Sequence, residues 1–255
     1  MKILVFGGTT EGREFAKFLV SLGTEVTLSC ATDYGEELVK DIPGVEVQVG
    51  RLDEAGMSQL IQSCGAQAVV DTTHPFAGLV SDNIRRASDQ SKVDYYRLLR
   101  AGIKDQKEML SPGVHWVDSM ESAIKILNEQ SGNIFLTTGS KNLEEFTQVT
   151  DFRERVWLRV IPMVDSLEKA LALGYAAKRI ICMQGPFSES LNEAMFRAAK
   201  SQFVVTKESG SVGGFQSKVK AAQAMGAEVI VVMRPIEKEG YEWSQLSAIF
   251  RSLLT

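Results

Sequence analysis

A strongly apolar strand that runs straight into a glycine-rich turn and a helix opens this chain, and that start restricts the fold more than any other feature. Lys2-Ile3-Leu4-Val5-Phe6 is a near-continuous apolar run. It suits a central strand of a parallel sheet covered on both faces. Gly7-Gly8-Thr9-Thr10-Glu11-Gly12 follows, and then a helix over about residues 11–22. Glycines at the carboxyl end of a strand permit a sharp turn and close approach to a ligand. The helix then aims its unsatisfied N–H groups and positive dipole end at the same place, a setting suited to pyrophosphate. The spacing departs from G-x-G-x-x-G, because Gly7 and Gly12 hold the outer positions while Thr9 stands at the middle one. Thr9, with Thr10 beside it, offers a hydroxyl and an N–H to a phosphate oxygen instead. Asp33, a few residues past a second strand at 25–30, lies near the spacing of the acid that binds a ribose hydroxyl. A turn that needs glycine for geometry alone is the bland alternative; position and flanks favour a nucleotide.

Strand and helix patterns then alternate almost to the end. Strands are expected near 45–49, 68–71, 94–98, 115–117, 133–137, 155–160, 179–183, 202–206 and 228–233. Helices are expected between them near 34–40, 53–63, 77–91, 119–128, 142–148, 166–173, 188–199 and 214–225, with a last one at 244–254. The rhythm breaks over 99–113, a charged stretch with Gly102, Pro112 and Gly113. The expectation is therefore an α/β protein of two Rossmann-like domains, residues 1–100 and 101–255, with mostly parallel sheets and a cleft between them. At 255 residues the chain is long enough for both. No apolar run approaches a membrane span, and an N-terminal core strand leaves no place for a signal peptide. The three cysteines lie far apart, without metal spacing, and read as reduced thiols of a cytoplasmic protein. A net charge of −4 argues against a nucleic-acid surface, and two histidines exclude a histidine-rich metal site.

In open parallel sheets, ligands sit beyond the carboxyl ends of the strands. Asp71-Thr72-Thr73-His74-Pro75-Phe76-Ala77 directly follows such a strand. Thr72 and Thr73 cap the next helix or contact the nucleotide, Pro75 suits a helix start, and His74 faces the cleft. Four more clusters follow strands or open helices in the second half: Thr137-Thr138-Gly139-Ser140-Lys141, Gln184-Gly185-Pro186-Phe187-Ser188, Thr206-Lys207-Glu208-Ser209-Gly210 and Gly213-Gly214-Phe215-Gln216-Ser217-Lys218. Hydroxyls, glycines and a lysine at a helix start make an anion site. Arg97, Arg100 and Arg159 add positive charge at or near strand ends, suited to carboxylates.

These clusters, in this order, carry a resemblance over nearly the full length. GGTTEGR (Gly7 to Arg13), DTTHPFA (Asp71 to Ala77), Tyr96-Arg97-Leu98-Leu99-Arg100, TGSK (Thr138 to Lys141), Arg159-Val160-Ile161-Pro162, QGPFS (Gln184 to Ser188) and TKESG with Gly213-Gly214 resemble the precorrin-6A reductases of corrin biosynthesis. Cobalt-precorrin-6A reductases of the anaerobic route are included. Ala101 departs from the family, which commonly has proline after the arginine. The resemblance implies hydride transfer from NADH or NADPH to one double bond of a tetrapyrrole bearing several carboxylates. Any cobalt arrives inside the substrate. It implies a cofactor site at Gly7, Gly8, Thr9, Thr10, Glu11, Gly12, Arg13, Thr32, Asp33, Thr72, Thr73, His74 and Pro75. It implies a substrate site at Arg97, Arg100, Ser140, Lys141, Arg159, Gly185, Lys207, Ser209, Gly210 and Gly213. His74 or water supplies the accompanying proton. Ala31-Thr32-Asp33-Tyr34-Gly35 has no basic residue for a 2′-phosphate, which leans toward NADH; Arg13, or Ser29 with Thr32, leaves NADPH open. The same stretch looks like the cobalt-containing branch. Two alternatives stand beside this reading. One is a dihydrodipicolinate-type reductase, whose paired-histidine and lysine motif is not found here. The other is a non-catalytic nucleotide sensor with an exposed apolar face in its second half.

Overall fold

The computed structural model describes residues 1–31, 42–99, 111–208, 214–235, 237 and 239–254. The chain divides into two compact units, Met1–Ala101 with Pro235–Thr255, and Gly102–Arg234. The expected helix at 34–40 lies outside the described residues.

In the first unit the elements run β1 (Lys2–Phe6), α1 (Thr10–Ser21), β2 (Glu25–Cys30), β3 (Val45–Val49), α2 (Glu54–Ser63), β4 (Ala68–Asp71), α3 (Gly78–Ser91) and β5 (Asp94–Arg97). The five strands pair in parallel in the order β3-β2-β1-β4-β5. Strand β1 lies at the centre, and its side chains alternate between two cores. Ile3 and Val5 pack with Phe15 and Leu19 of α1. Leu4 and Phe6 pack with Met57, Ile61 and Ile84 of α2 and α3. That period of two, with both faces covered, is why the strand reads as an unbroken apolar run.

The second unit runs β6 (Val114–Val117), α4 (Met120–Asn128), β7 (Asn133–Leu136), a one-turn α5 (Phe152–Arg155), β8 (Val156–Val160), α6 (Val164–Ala172), β9 (Ile180–Cys182), α7 (Glu189–Ala198), β10 (Ser201–Lys207), α8 (Phe215–Gln223) and β11 (Glu228–Val232). Its six strands are parallel in the order β6-β11-β10-β7-β8-β9. Phe135, Phe196, Val204, Phe215 and Val229 form the core beneath α7 and α8. The helix expected at 142–148 is instead two short 3₁₀ turns, Ser140–Asn142 and Glu145–Gln148. The Thr147 hydroxyl, bonded back to the Glu144 carbonyl at 2.6 Å, satisfies backbone locally there.

The largest departure from the expected organisation is at the C-terminus. Helix α9 (Trp243–Leu253) belongs to the first unit, not the second. Leu246 and Phe250 are fully buried in the cluster around Phe15. The Phe250 ring lies 5.9 Å from Phe15 and 5.2 Å from Tyr96. Ahead of the helix, Tyr241 N donates to the Arg97 carbonyl and Leu99 N to the Tyr241 carbonyl, each at 2.8 Å. An apolar pair at i and i+4 says that a helix has a core face, but not which sheet receives it.

Candidate active site

In the first unit the strand order reverses between β1 and β4, so a ligand crevice is expected outside their carboxyl ends. Gly7, with φ +131°, turns the chain there. Thr9 is the N-cap of α1: its hydroxyl accepts from Gly12 N at 3.1 Å and donates to the Thr72 carbonyl at 3.1 Å. Thr72 is buried, and its hydroxyl donates to the Phe6 carbonyl at 2.9 Å. The sequence reading offered the Thr9 and Thr72 hydroxyls to a ligand; the structure spends both on joining the two loops. Both glycines are then sterically required. A Cβ at Gly12 would stand 2.5 Å from Gly7 O, and one at Gly7 would stand 2.5 Å from Thr72 Oγ1.

What remains for an anion is the positive dipole end of α1, where Gly12 N is already held by Thr9 Oγ1 and Arg13 N by the Thr9 carbonyl, and the Arg13 side chain. Arg13 Nη2 donates to Thr10 Oγ1 at 3.0 Å, which holds the guanidinium over that helix start. Gly8 and Glu11 are half-buried beside it. His74 is also half-buried. Its Nδ1 accepts from Phe76 N at 3.3 Å, and its ring lies 5.6 Å from the Phe76 ring. Acceptance at Nδ1 leaves the neutral imidazole with its proton on Nε2. Pro75 is buried behind the loop. Ser29 is buried too, so its hydroxyl is not presented to a 2′-phosphate. Thr32 and Asp33 lie outside the described residues.

Arg97 departs furthest from its expected role. It is 4% exposed and paired with two carboxylates, Asp71 at 2.8 Å and Glu237 at 2.6 Å. Asp71, fully buried, also accepts from Thr73 N at 2.8 Å, Thr73 Oγ1 at 2.7 Å and the Tyr95 hydroxyl at 2.9 Å. Burial, with the Asp71 charge beside it, pushes the Tyr95 phenol above its ordinary pKa, so Tyr95 stays a donor. A guanidinium neutralised twice has no charge to offer a substrate. Arg100 lies outside the described residues.

In the second unit the order reverses between β7 and β10. Thr138 follows β7, and its buried hydroxyl has no hydrogen-bond partner among the described residues. Ser140 Oγ accepts from Ser166 Oγ at 3.2 Å, and Lys141 next to it is exposed. Lys207 ends β10; burial first, and then the Lys141 charge, press its pKa down to about 8. On β8, Arg159 is 6% exposed, and burial pushes its pKa down to about 10. Its Nη1 donates to Asn192 Oδ1 at 2.9 Å, and its guanidinium lies 3.6 Å from the centre of the Phe187 ring. Among the described residues it has no carboxylate partner. Asn192 is itself fixed by the loop, its Nδ2 donating to the Ser188 carbonyl at 3.0 Å. Gly185 is tight against Phe187, since a Cβ there would come within 2.8 Å of the ring. Lys218 of α8, missed as a site residue, is near enough to Arg159 for their charges to repel. Burial, followed by that repulsion, holds its pKa at about 8. Its place four residues past Gly214, at the start of a helix, was the available signal. Ser209, Gly210 and Gly213 lie outside the described residues.

Comparison with known proteins bears on these two sets of residues. Residues 2–253 match the family described as "Precorrin-6x reductase CbiJ/CobK". This chain belongs to that family. A cobalt-precorrin-6A reductase of Priestia megaterium is 34% identical over 99% of this chain and 98% of that protein. One from Methanothermobacter thermautotrophicus is 33% identical over 92% of this chain and 77% of that protein. Among solved structures, a CobK precorrin-6A reductase superposes with a TM-score of 0.75 at 26% identity, covering 99% of this chain and 96% of that one. The resemblance drawn from GGTTEGR, DTTHPFA and TKESG is thereby met, as is the α/β class with two parallel sheets. Membership in the precorrin-6x reductase family displaces both alternatives. The apolar face expected of a sensor does not by itself separate them. Ile161, Val164 and Leu167 are exposed in the second unit, yet the polar strand-end clusters are there as well.

Proposed function

We propose that this protein reduces precorrin-6A, in its cobalt-bearing or metal-free form, with hydride from a reduced nicotinamide dinucleotide, and so serves corrin synthesis. The observation that carries this reading is the contrast between two strand-order reversals in one chain. One carries the positive end of a helix with Arg13 beside it, the other a cluster of cations of which Arg159, Lys207 and Lys218 are buried or half-buried.

The residues at the first reversal fit a dinucleotide. Gly7 and Gly12 keep side chains out of a turn already filled by Thr72, which lets a pyrophosphate come close to the positive end of α1. Arg13, held by Thr10, adds a cation there. Thr73, His74 and Pro75 border the same place. A bound nicotinamide dinucleotide would supply the hydride. NADH is favoured, because Ser29 is buried and Arg13 is anchored at the helix start.

In the second unit, Arg159, Lys207, Lys218 and Lys141 hold substrate carboxylates, and the Thr138 hydroxyl supplies a further donor. Gly185 lets Phe187 pack under Arg159, so the guanidinium waits in a fixed plane. The macrocycle is thereby positioned rather than chemically activated. His74 or a water delivers the proton that accompanies the hydride. Mixing the protein with NADH or NADPH and precorrin-6A, with and without cobalt, tests the reading. Loss of the reduced-nicotinamide absorbance together with a change in the macrocycle spectrum is expected. Folded protein that leaves both spectra unchanged with both macrocycles would refute it.

A further inference from the structure

The Arg97 guanidinium is committed on both sides, on one of them to the loop that carries His74. Its Nη1 reaches Asp71 Oδ1 at 2.8 Å, the Asp71 carbonyl at 3.4 Å and Thr73 Oγ1 at 3.2 Å. Its Nε and Nη2 reach Glu237 Oε1 at 2.8 Å and 2.6 Å. Glu237 lies 140 residues further along, in the segment that re-enters the first unit after β11. The same segment pairs Glu239 with Arg85 of α3 at the surface. Beyond Asp71, Thr73 Oγ1 lies 3.1 Å from Ser81 Oγ, and the Thr72 carbonyl accepts from Thr9 at the start of α1. A continuous chain of bonds therefore runs from Glu237 through Arg97 to residues 71–73 and on to the helix start.

We propose that Arg97 and Glu237 are positioning residues. They fix the 71–76 loop so that Thr73 and His74 stand where a dinucleotide is received, and neither residue touches it. This rests on the dinucleotide reading given above. The forked geometry of a guanidinium supports the role, because a planar fork bonded on both edges cannot rotate. Without the Glu237 carboxylate, one edge is released. The other edge, which holds Asp71 and Thr73, is then free to tilt. Asp71 keeps its bonds from Thr73 and Tyr95, so the fold survives while the loop loosens.

Glu237→Ala removes both the charge and the one oxygen that accepts from Nε and Nη2, which a glutamine would keep. Glu239→Ala, which breaks the exposed pair in the same segment, is the control. In the dinucleotide-free protein, amide hydrogen exchange at Thr73 and Ala77 should quicken at least about fivefold in Glu237→Ala, with Leu4 to Phe6 unchanged. NADH affinity, read by quenching of tryptophan fluorescence, should weaken at least about threefold. The control should change neither. Unchanged loop exchange, or unchanged NADH affinity, or faster exchange throughout the first unit including β1, would overturn the proposal. Failure of the unsubstituted protein to bind NADH or NADPH would instead refute the dinucleotide reading, and that result shows before any variant is made.

Discussion

Two buried arginines should answer the same substitution to different degrees. Arg97 is paired with Asp71 and Glu237; Arg159 has an amide and an aromatic ring but, among the described residues, no carboxylate. Arg97→Met leaves Asp71, which is fully buried, without its counter-charge. Breaking a buried pair in this way costs about 3–5 kcal/mol. Arg159→Met relieves a desolvation that depresses the pKa from 12.5 to about 10; that depression corresponds to about 3 kcal/mol against the charged form. What it gives up is one charge-assisted bond, about 1.5–3 kcal/mol, and a cation–π contact of about 2 kcal/mol. The net loss should stay below about 2 kcal/mol. Urea unfolding with matched m-values reads both variants. Binding of the macrocycle separates them again. Arg159→Met should weaken it by about 10–100-fold, the worth of a charged hydrogen bond to a carboxylate, whereas any loss in Arg97→Met should track the fraction unfolded. If Arg159→Met is the more destabilising of the two and binds the macrocycle normally, the assignment of these arginines is wrong.

Further expectations follow the same logic. Gly12→Ala places a methyl against the Gly7 carbonyl and Thr72; it should cost about 1–3 kcal/mol and weaken dinucleotide binding in a direct titration, and a neutral outcome would mean that the turn is looser than described. Lys207 should lose its charge as pH rises through about 8, well below the ordinary 10.5, so macrocycle affinity should fall across that range. Lys207→Arg should make that fall smaller, leaving the part due to Lys218, which loses its charge over the same range, and a flat profile in the parent would remove the lysine from the site. Phe250→Ala should destabilise the first unit by about 3–5 kcal/mol, because the ring is fully buried against Phe15 and Tyr96. For the same reason, residues 1–101 alone should expose amides in β1 to hydrogen exchange that the full chain protects; equal protection would show that the last helix is dispensable.

The alternation of short apolar strands with helices was legible throughout, because each strand of a covered parallel sheet must be apolar on both faces. The clusters at the strand ends were legible too, since polar residues after such strands have few other reasons to be there. Individual roles were not. Thr9 was read as a phosphate ligand, although a threonine three residues before Gly12 at a helix start is also an N-cap, and that use prevails here. Arg97 was read as a substrate residue because a one-dimensional scan sees a cation at a strand end. The register that sets it directly opposite Asp71 appears only when β4 and β5 pair. Glu237 and helix α9 lie far along the chain, where periodicity reveals a helix but carries no address for the surface it covers. Burial, which distinguishes Arg159 from the surface arginines, is likewise a property of the packed unit.

Where the hydrogen goes tests the central claim most directly. A single turnover with nicotinamide dinucleotide deuterated at the reactive carbon, followed by mass spectrometry of the macrocycle, reads it. The account predicts one deuterium on the reduced ring of the product. Oxidation of the nicotinamide with no label in the macrocycle would contradict it.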